Sequence, residues 1–181
     1  SAVVVAAEHK YDGQRAQVHR SDDGTVKIFS RKNDEMTAKF PDVVAAAVAS
    51  ARSQRAFIVD AEICAAGDGG GAEDGAADAS AGGAEVGSFQ ALATRGRDGS
   101  SGPAVQLVLF DVLALGGESL LGKPLEARRA ALHSEFGRVS GAVEFATATD
   151  VDLTDGDAAG AALDAALRTA IAAGCEGLMV K

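Results

Sequence analysis

Two apolar runs set the limits on how this chain can fold. "AFIVDAEICA" at 56–65 and "VQLVLFDVLAL" at 105–115 are dense in branched and large apolar side chains. Each has the length and make-up of a buried β-strand. Around them the patterning changes. "RAQVHRSDDGTVKIFSR" roughly alternates apolar and polar residues on both sides of an Asp-Asp-Gly turn, which predicts a hairpin. "PDVVAAAVASAR" predicts a helix with Pro41 in its first turn and Val44, Ala47, Val48 and Ala51 on one face. "KPLEARRAALHSEF" predicts a second helix, with Leu125, Leu132 and Phe136 inward. "DGDAAGAALDAALRTAIAAG" predicts a third, capped by Asp157, striped by Leu163, Leu167 and Ile171, and ended by Gly174. "EGLMVK" opens one more strand. Strands and helices interleave without a strict βαβ order, so the expected class is α+β with mainly antiparallel sheets.

The chain has 181 residues, enough for one ordinary domain with its own core. With no Trp and one Tyr, that core is expected to be Val, Leu, Ile, Phe and Ala. The sequence starts at Ser1 and stops at Lys181 within an apolar run, so a piece of a longer protein is expected. No run of about 18 apolar residues occurs, so no membrane partner or span is expected. No signal peptide is visible. Cys64 and Cys175 lie far apart in apolar runs, which suits two buried thiols in a reducing compartment better than a disulfide framework or a zinc site.

Net charge is −9, which taken alone argues against nucleic-acid binding. The charge is uneven, however. His9–Arg55 holds nine Lys/Arg against six Asp/Glu, whereas 66–88 and 150–164 each hold five acids and no Lys or Arg. Anions are therefore expected at the first segment. Residues 66–88, low in complexity and without aromatics, cannot bury enough surface to fold alone and are expected to form a disordered acidic loop between two strands. A calcium loop in "DGGGAEDG" fails on the spacing of its acids.

The residues that could carry chemistry begin with "EHKYDGQRAQVH". A lysine at its ordinary pKa of about 10.4 is protonated and inert, and becomes a nucleophile when desolvation or a nearby cation lowers that value. Gly13 ends "KYDG" and lets a ligand approach the backbone closely. Arg15 offers a fork suited to phosphate oxygens. A solvated Lys-Asp turn also fits this stretch. Asp12 suits a turn-forming or a lysine-orienting role. Glu62 sits in an apolar strand, where a carboxylate is normally paired or metal-bound, and Asp60 on the same face could bond a neighbouring arginine. Phe110 suits the core or a stacking surface. Arg31 follows a strand end. Glu176 opens a strand, and Lys181 falls on the opposite face of an ideal one.

These segments, in this order, resemble the adenylation (nucleotidyltransferase) domain of ATP-dependent DNA ligases, closest to the eukaryotic replicative type. "KYDGQRAQVH" resembles the first nucleotidyltransferase motif, "IFSRKNDEMTAKFPD" the segment after it and "IVDAEICA" the third motif. "FQALATRGR" and "LVLFDVLALGGESLLGKPLEARRAAL" resemble the stretch that follows, and "CEGLMVK" the fourth motif. The likeness spans nearly the whole chain except the acidic insert, and implies a partial adenylation domain over 1–181. It implies that Lys10 attacks the α-phosphate of ATP to give lysyl-AMP. Glu8 would help hold the adenine, Arg15 the nucleotide, and Arg31 a phosphate of the nucleotide or of DNA. Glu62 would meet ribose or a metal, Glu176 the metal, Phe110 the adenine ring and Lys181 the phosphate. Mg²⁺, which takes one or two carboxylates and several waters, suits Glu62 and Glu176.

The partners implied are ATP and nicked double-stranded DNA, in replication, repair and recombination, in the nucleus or an organelle. A sliding clamp would bind only through regions outside this sequence. The family's fifth motif, OB-fold and DNA-binding domains are also outside it, so the piece alone is expected to be impaired. Two alternatives stand beside this expectation. One is an mRNA-capping guanylyltransferase, which shares the KxDG lysine. The other is a non-catalytic nucleotide- or DNA-binding relative.

Overall fold

The computed structural model describes residues 3–66, 86–87 and 89–181. In chain order the elements are β1 (Val4–Lys10), β2 (Gln14–Arg20), β3 (Val26–Ser30), α1 (Pro41–Ser50), β4 (Phe57–Ala66) and β5 (Val86–Gly87). There follow α2 (Phe89–Ala93), β6 (Val105–Leu115), β7 (Glu118–Ser119), α3 (Leu125–Glu135), β8 (Val143–Phe145), β9 (Ala148–Asp152), α4 (Gly156–Ala172) and β10 (Gly177–Val180). The expected acidic insert at 66–88, and the calcium loop weighed within it, lie outside the described residues save Ala66, Val86 and Gly87. The chain divides into two compact units.

The first unit contains β1, β9, α4 and β10. β1 is the centre of an antiparallel sheet in the order β10-β1-β9. Its sequence, VVAAEHK, does not announce a strand, because alanines and charges blur the period-two signal. Lys10 is the last residue of this strand, and the bend containing Gly13 follows it, so the lysine stands at the edge of a glycine turn as expected. α4 packs against all three strands. Two expectations for α4 need correction. The cap is Asp155, whose carboxylate accepts from the backbone N–H of Asp157 and Ala158 at 3.1 and 3.2 Å. Asp157 lies inside the first turn, where its charge still suits the helix dipole. The buried stripe is Ala159, Ala166 and Ala170, not Leu163, Leu167 and Ile171. Leu167 and Ile171 are 41% and 55% exposed. The small alanine face lets the helix lie close on the sheet. Gly174, at φ +77°, ends the helix as expected.

The second unit contains β2–β4, α1–α3 and β6–β8. Its sheet runs β3-β2-β4-β6-β7 with antiparallel neighbours, and β8 lies parallel to β6. The hairpin and both apolar strands form where their patterns predict them. Val18, Ile28, Val59, Ile63, Leu107 and Leu109 form the sheet's contribution to the core, with Phe40, Leu132 and Phe136 packed on it. The Phe57 and Phe136 rings meet edge to face at 5.0 Å. Of the inward residues expected on the second helix, Leu132 and Phe136 are buried and Leu125 is half-buried.

α1 is turned from its expected face: Val43, Ala46, Ala47 and Ser50 are buried, and Val48 is exposed. Val44 and Ala51 pack at the core's margin. Apolar residues surround this helix, so the sequence pattern does not choose a side. The Ser50 hydroxyl, donating to the Gly137 carbonyl at 2.6 Å, pins the side that is buried. Cys64 and Cys175 are both buried, as expected. Among the described residues no helix is long and apolar enough to cross a membrane.

Candidate active site

In the first unit, β1 presents Glu8 and Lys10 on one face by period two. The register with β10 sets Glu8 opposite Met179 and Lys10 opposite Gly177. Backbone bonds from Glu176 N to Lys10 O (2.8 Å) and between Ala6 and Lys181 (3.0 Å each way) tie both ends of β10 to β1. The result is a row of alternating charge. The Lys181 ammonium donates to the Glu8 carboxylate at 2.5 Å, and the Lys10 ammonium pairs with Glu176. Glu176 and Lys181 were expected on opposite faces of an ideal strand, yet both reach the Glu8–Lys10 row. Glu176 precedes β10, and Gly177, at φ +148°, adopts a backbone that side-chain-bearing residues avoid, which breaks the alternation.

Lys10 and Glu176 are each about half exposed, whereas the Glu8 side chain is only 5% exposed. A buried Glu8 needs its cation, which makes Lys181 a structural partner as well as a candidate phosphate contact. Next to Lys10, His9 lies 3.9 Å from the Cys175 sulfur. Burial pushes the His9 pKa down and the Cys175 pKa up, so both favour their neutral forms. The Tyr11 hydroxyl accepts from Thr147 N at 3.2 Å, and His9 N donates to Thr147 O at 2.9 Å. These bonds fix the backbone on either side of Lys10.

The second unit gathers Arg15, Glu62 and Phe110. Arg15 sits opposite Glu62 in the β2–β4 register and reaches diagonally to Asp60, which grips it in a two-pronged pair. The Asp60 hydrogen bond raises the Arg15 pKa further, with Glu62 and Asp111 adding smaller attractions. Asp60 is 5% exposed and Arg15 is 44% exposed, so the carboxylate anchors and the guanidinium faces outward. The neighbouring-arginine role weighed for Asp60 is the one the fold uses.

Phe110 is the extra residue of a β-bulge. Asp60 pairs with Asp111 and Ala61 with Leu109, which leaves Phe110 unmatched. A bulge re-aims a side chain, and here the ring lies 5.8 Å from the Arg15 guanidinium. Arg31, in the exposed turn after β3, joins Arg15, Gln17, Ser30 and Asn33 around a polar depression of about 240 Å³. Two guanidinium groups on one depression suit an anion. Gly13 makes a close approach, though to the protein itself. A Cβ there would stand 2.4 Å from the Ile63 carbonyl oxygen.

The structure thus groups Glu8, Lys10, Glu176 and Lys181 in one unit, and Arg15, Arg31, Glu62 and Phe110 in the other, a division the sequence reading did not make. That reading singled out these eight residues but left Asp111 and Arg128 aside. The available signal was a carboxylate inside the apolar run "LVLFDVLAL". No group of three His, Cys, Asp or Glu among the described residues forms a metal cage. A magnesium ion that keeps its waters needs only one or two carboxylates, and Glu62 in one unit and Glu176 in the other each supply a carboxylate of that kind.

The family described as the ATP dependent DNA ligase domain matches residues 2–181. DNA ligase 1 of Drosophila melanogaster is 34% identical over 182 residues, covering 98% of this chain and 22% of that protein. DNA ligase 6 of Arabidopsis thaliana is 35% identical over 189 residues, covering 96% of this chain and 13% of that protein. The chain thus spans less than a quarter of the length of these curated relatives. The fold is shared with the ligase domain of M. tuberculosis LigD, at TM-score 0.67 and 24% identity over 98% of this chain and 47% of that one. It is shared equally with a mycobacterial DNA ligase D complexed with ATP and MES, at TM-score 0.68, 24% identity and coverage of 98% and 48%. The chain belongs to the ATP-dependent DNA ligase domain family.

Proposed function

We propose that this chain is the nucleotide-binding part of an ATP-dependent DNA ligase, with Lys10 as its nucleophile. The carrying observation is Lys10 itself: within a family match over 2–181, it lies half exposed on a strand face, beside Glu176. Lys10 loses a proton, its Nζ bonds to the α-phosphorus of ATP, and the bond to pyrophosphate breaks. AMP then passes from Lys10 to the 5′-phosphate of a DNA nick, and the 3′-hydroxyl displaces it to seal the strand.

Phosphoryl transfer needs positioning and charge neutralisation above all. Glu8 helps hold the base, Phe110 supplies a stacking face, Arg15 and Arg31 offer guanidinium groups to phosphates, and Lys181 adds a cation. Mg²⁺ would supply charge neutralisation at the phosphates, with Glu62 and Glu176 as its candidate carboxylates. The resemblance to the eukaryotic replicative type extends this proposal to replication, repair and recombination in the nucleus.

The test uses the full-length protein with ATP labelled at the α-phosphate, or GTP labelled likewise. Covalent label from ATP that is lost in Lys10→Ala supports the proposal. Label from GTP alone would sink it in favour of guanylyl transfer. Label that persists in Lys10→Ala would remove Lys10 from the nucleophile's role.

A further inference from the structure

Behind Arg15 lies a second, more buried pair. Asp111 stands directly across the β4–β6 ladder from Asp60. Two carboxylates in such positions repel. Asp111 has its own cation in Arg128 of α3, whose Nε and Nη2 donate to its two oxygens at 2.8 and 2.9 Å. Arg128 is itself held by the Lys123 carbonyl at 2.7 Å, and Val112 N donates to Asp111 at 2.8 Å. Asp111 and Arg128 are 13% and 19% exposed, so the pair is shielded from water. The order in space is Arg15, Asp60, Asp111, Arg128, with each acid taken by one guanidinium. Asp111 also directly follows Phe110, the bulged residue whose ring neighbours Arg15.

We infer that Arg128, acting through Asp111, is a positioning residue that sets the placement of both Arg15 and Phe110. Without the Arg128 guanidinium, Asp111 would be a shielded carboxylate beside Asp60, and Arg15, which its charge already attracts, is a guanidinium within its reach. Asp111 then draws Arg15 from its bidentate seat, and the bulge that aims Phe110 loses its anchor. A lysine cannot replace Arg128 fully, because an ammonium does not match both carboxylate oxygens at once.

The consequence for catalysis rests on the proposed nucleotide site, so the test has two arms. In the first, the Arg15 Nε–Hε resonance of this chain is followed by NMR, with no nucleotide present. Arg128→Met should shift it, and adding Asp111→Asn should return it, since the orphaned charge is gone. A resonance unmoved by Arg128→Met would overturn the inference. So would a double variant no better than the single one, the result expected of a merely structural arginine.

In the second arm, Lys10-AMP formation by the full-length protein is measured against ATP concentration. Arg128→Met should raise the ATP concentration for half-maximal rate about tenfold, with Arg128→Lys intermediate and the double variant partly restored, because Arg15 regains its seat while the bulge at Phe110 stays unanchored. An unchanged ATP dependence alongside a shifted resonance would overturn the catalytic consequence. Absence of any adduct in the unmodified protein would count against the ligase proposal, leaving the resonance to decide positioning.

Discussion

In the proposed reaction Lys10 attacks phosphorus, and the carboxylate beside it is Glu176, the candidate metal ligand. Glu176→Gln keeps the size of the side chain and removes that charge. At saturating ATP the full-length protein is expected to form Lys10-AMP about a hundredfold more slowly, a magnitude typical of losing one electrostatic contact at the reacting group. An unaltered single-turnover rate would show that Glu176 is not needed at this step. Gly13 raises a different residue-scale matter. The motif's glycine makes room for the Ile63 carbonyl and the Glu62 side chain, which a Cβ would approach to 2.4 and 2.8 Å. Gly13→Ala should therefore destabilise the chain by about 1–3 kcal/mol, as overpacking does, with the loss read by urea unfolding. An alanine variant as stable as the parent would mean that this contact relaxes freely.

α4 shows how an element's cap and face are chosen. Asp155 alone makes the cap bonds, so Asp155→Ala should cost about 1 kcal/mol and Asp157→Ala no more than about 0.5 kcal/mol. Thermal unfolding of the two variants ranks them, and equal losses would contradict the assigned cap. The helix face is tested the other way round. Ala170 is fully buried and Leu167 is not. Ala170→Leu should destabilise by about 1–3 kcal/mol, and Leu167→Ser should stay within about 0.5 kcal/mol of the parent. The reverse order would restore the leucine stripe that the sequence pattern suggests. That pattern misleads because periodicity weighs side chains by hydrophobicity. Packing distance is set by size, and three small residues on one face let the helix sit closer. β4 and β6 posed no such difficulty, since a dense apolar run is buried on both faces whichever way it is turned.

At the scale of the whole molecule, all three histidines are shifted in one direction. Burial lowers the pKa of His9, His19 and His133, with Arg129 and Arg138 adding to the effect at His133. A histidine whose folded pKa lies below its unfolded value holds fewer protons when folded, so protons favour unfolding. Stability is then fully present above the ordinary histidine value of about 6.5 and declines as pH falls below it. The unfolding midpoint, followed from pH 8 to pH 5, should fall on the acid side, and His19→Gln with His133→Gln should flatten the decline. A midpoint rising toward pH 5 would refute the shift. Much of this molecule was legible in its residue order. The α+β class, the hairpin, both apolar strands and the ordered motifs carrying Lys10, Arg15, Glu62, Phe110 and Glu176 all follow from local patterning, because strand period and turn chemistry are local properties. Tertiary structure alone decided the partners. Lys10 with Glu176, Glu8 with Lys181, and Asp111 with Arg128 are joined across separate elements, by strand register, by a bulge at Phe110 and by the backbone of Gly177. Pairing of this kind depends on distance in space, and no pattern within a short window of sequence encodes that.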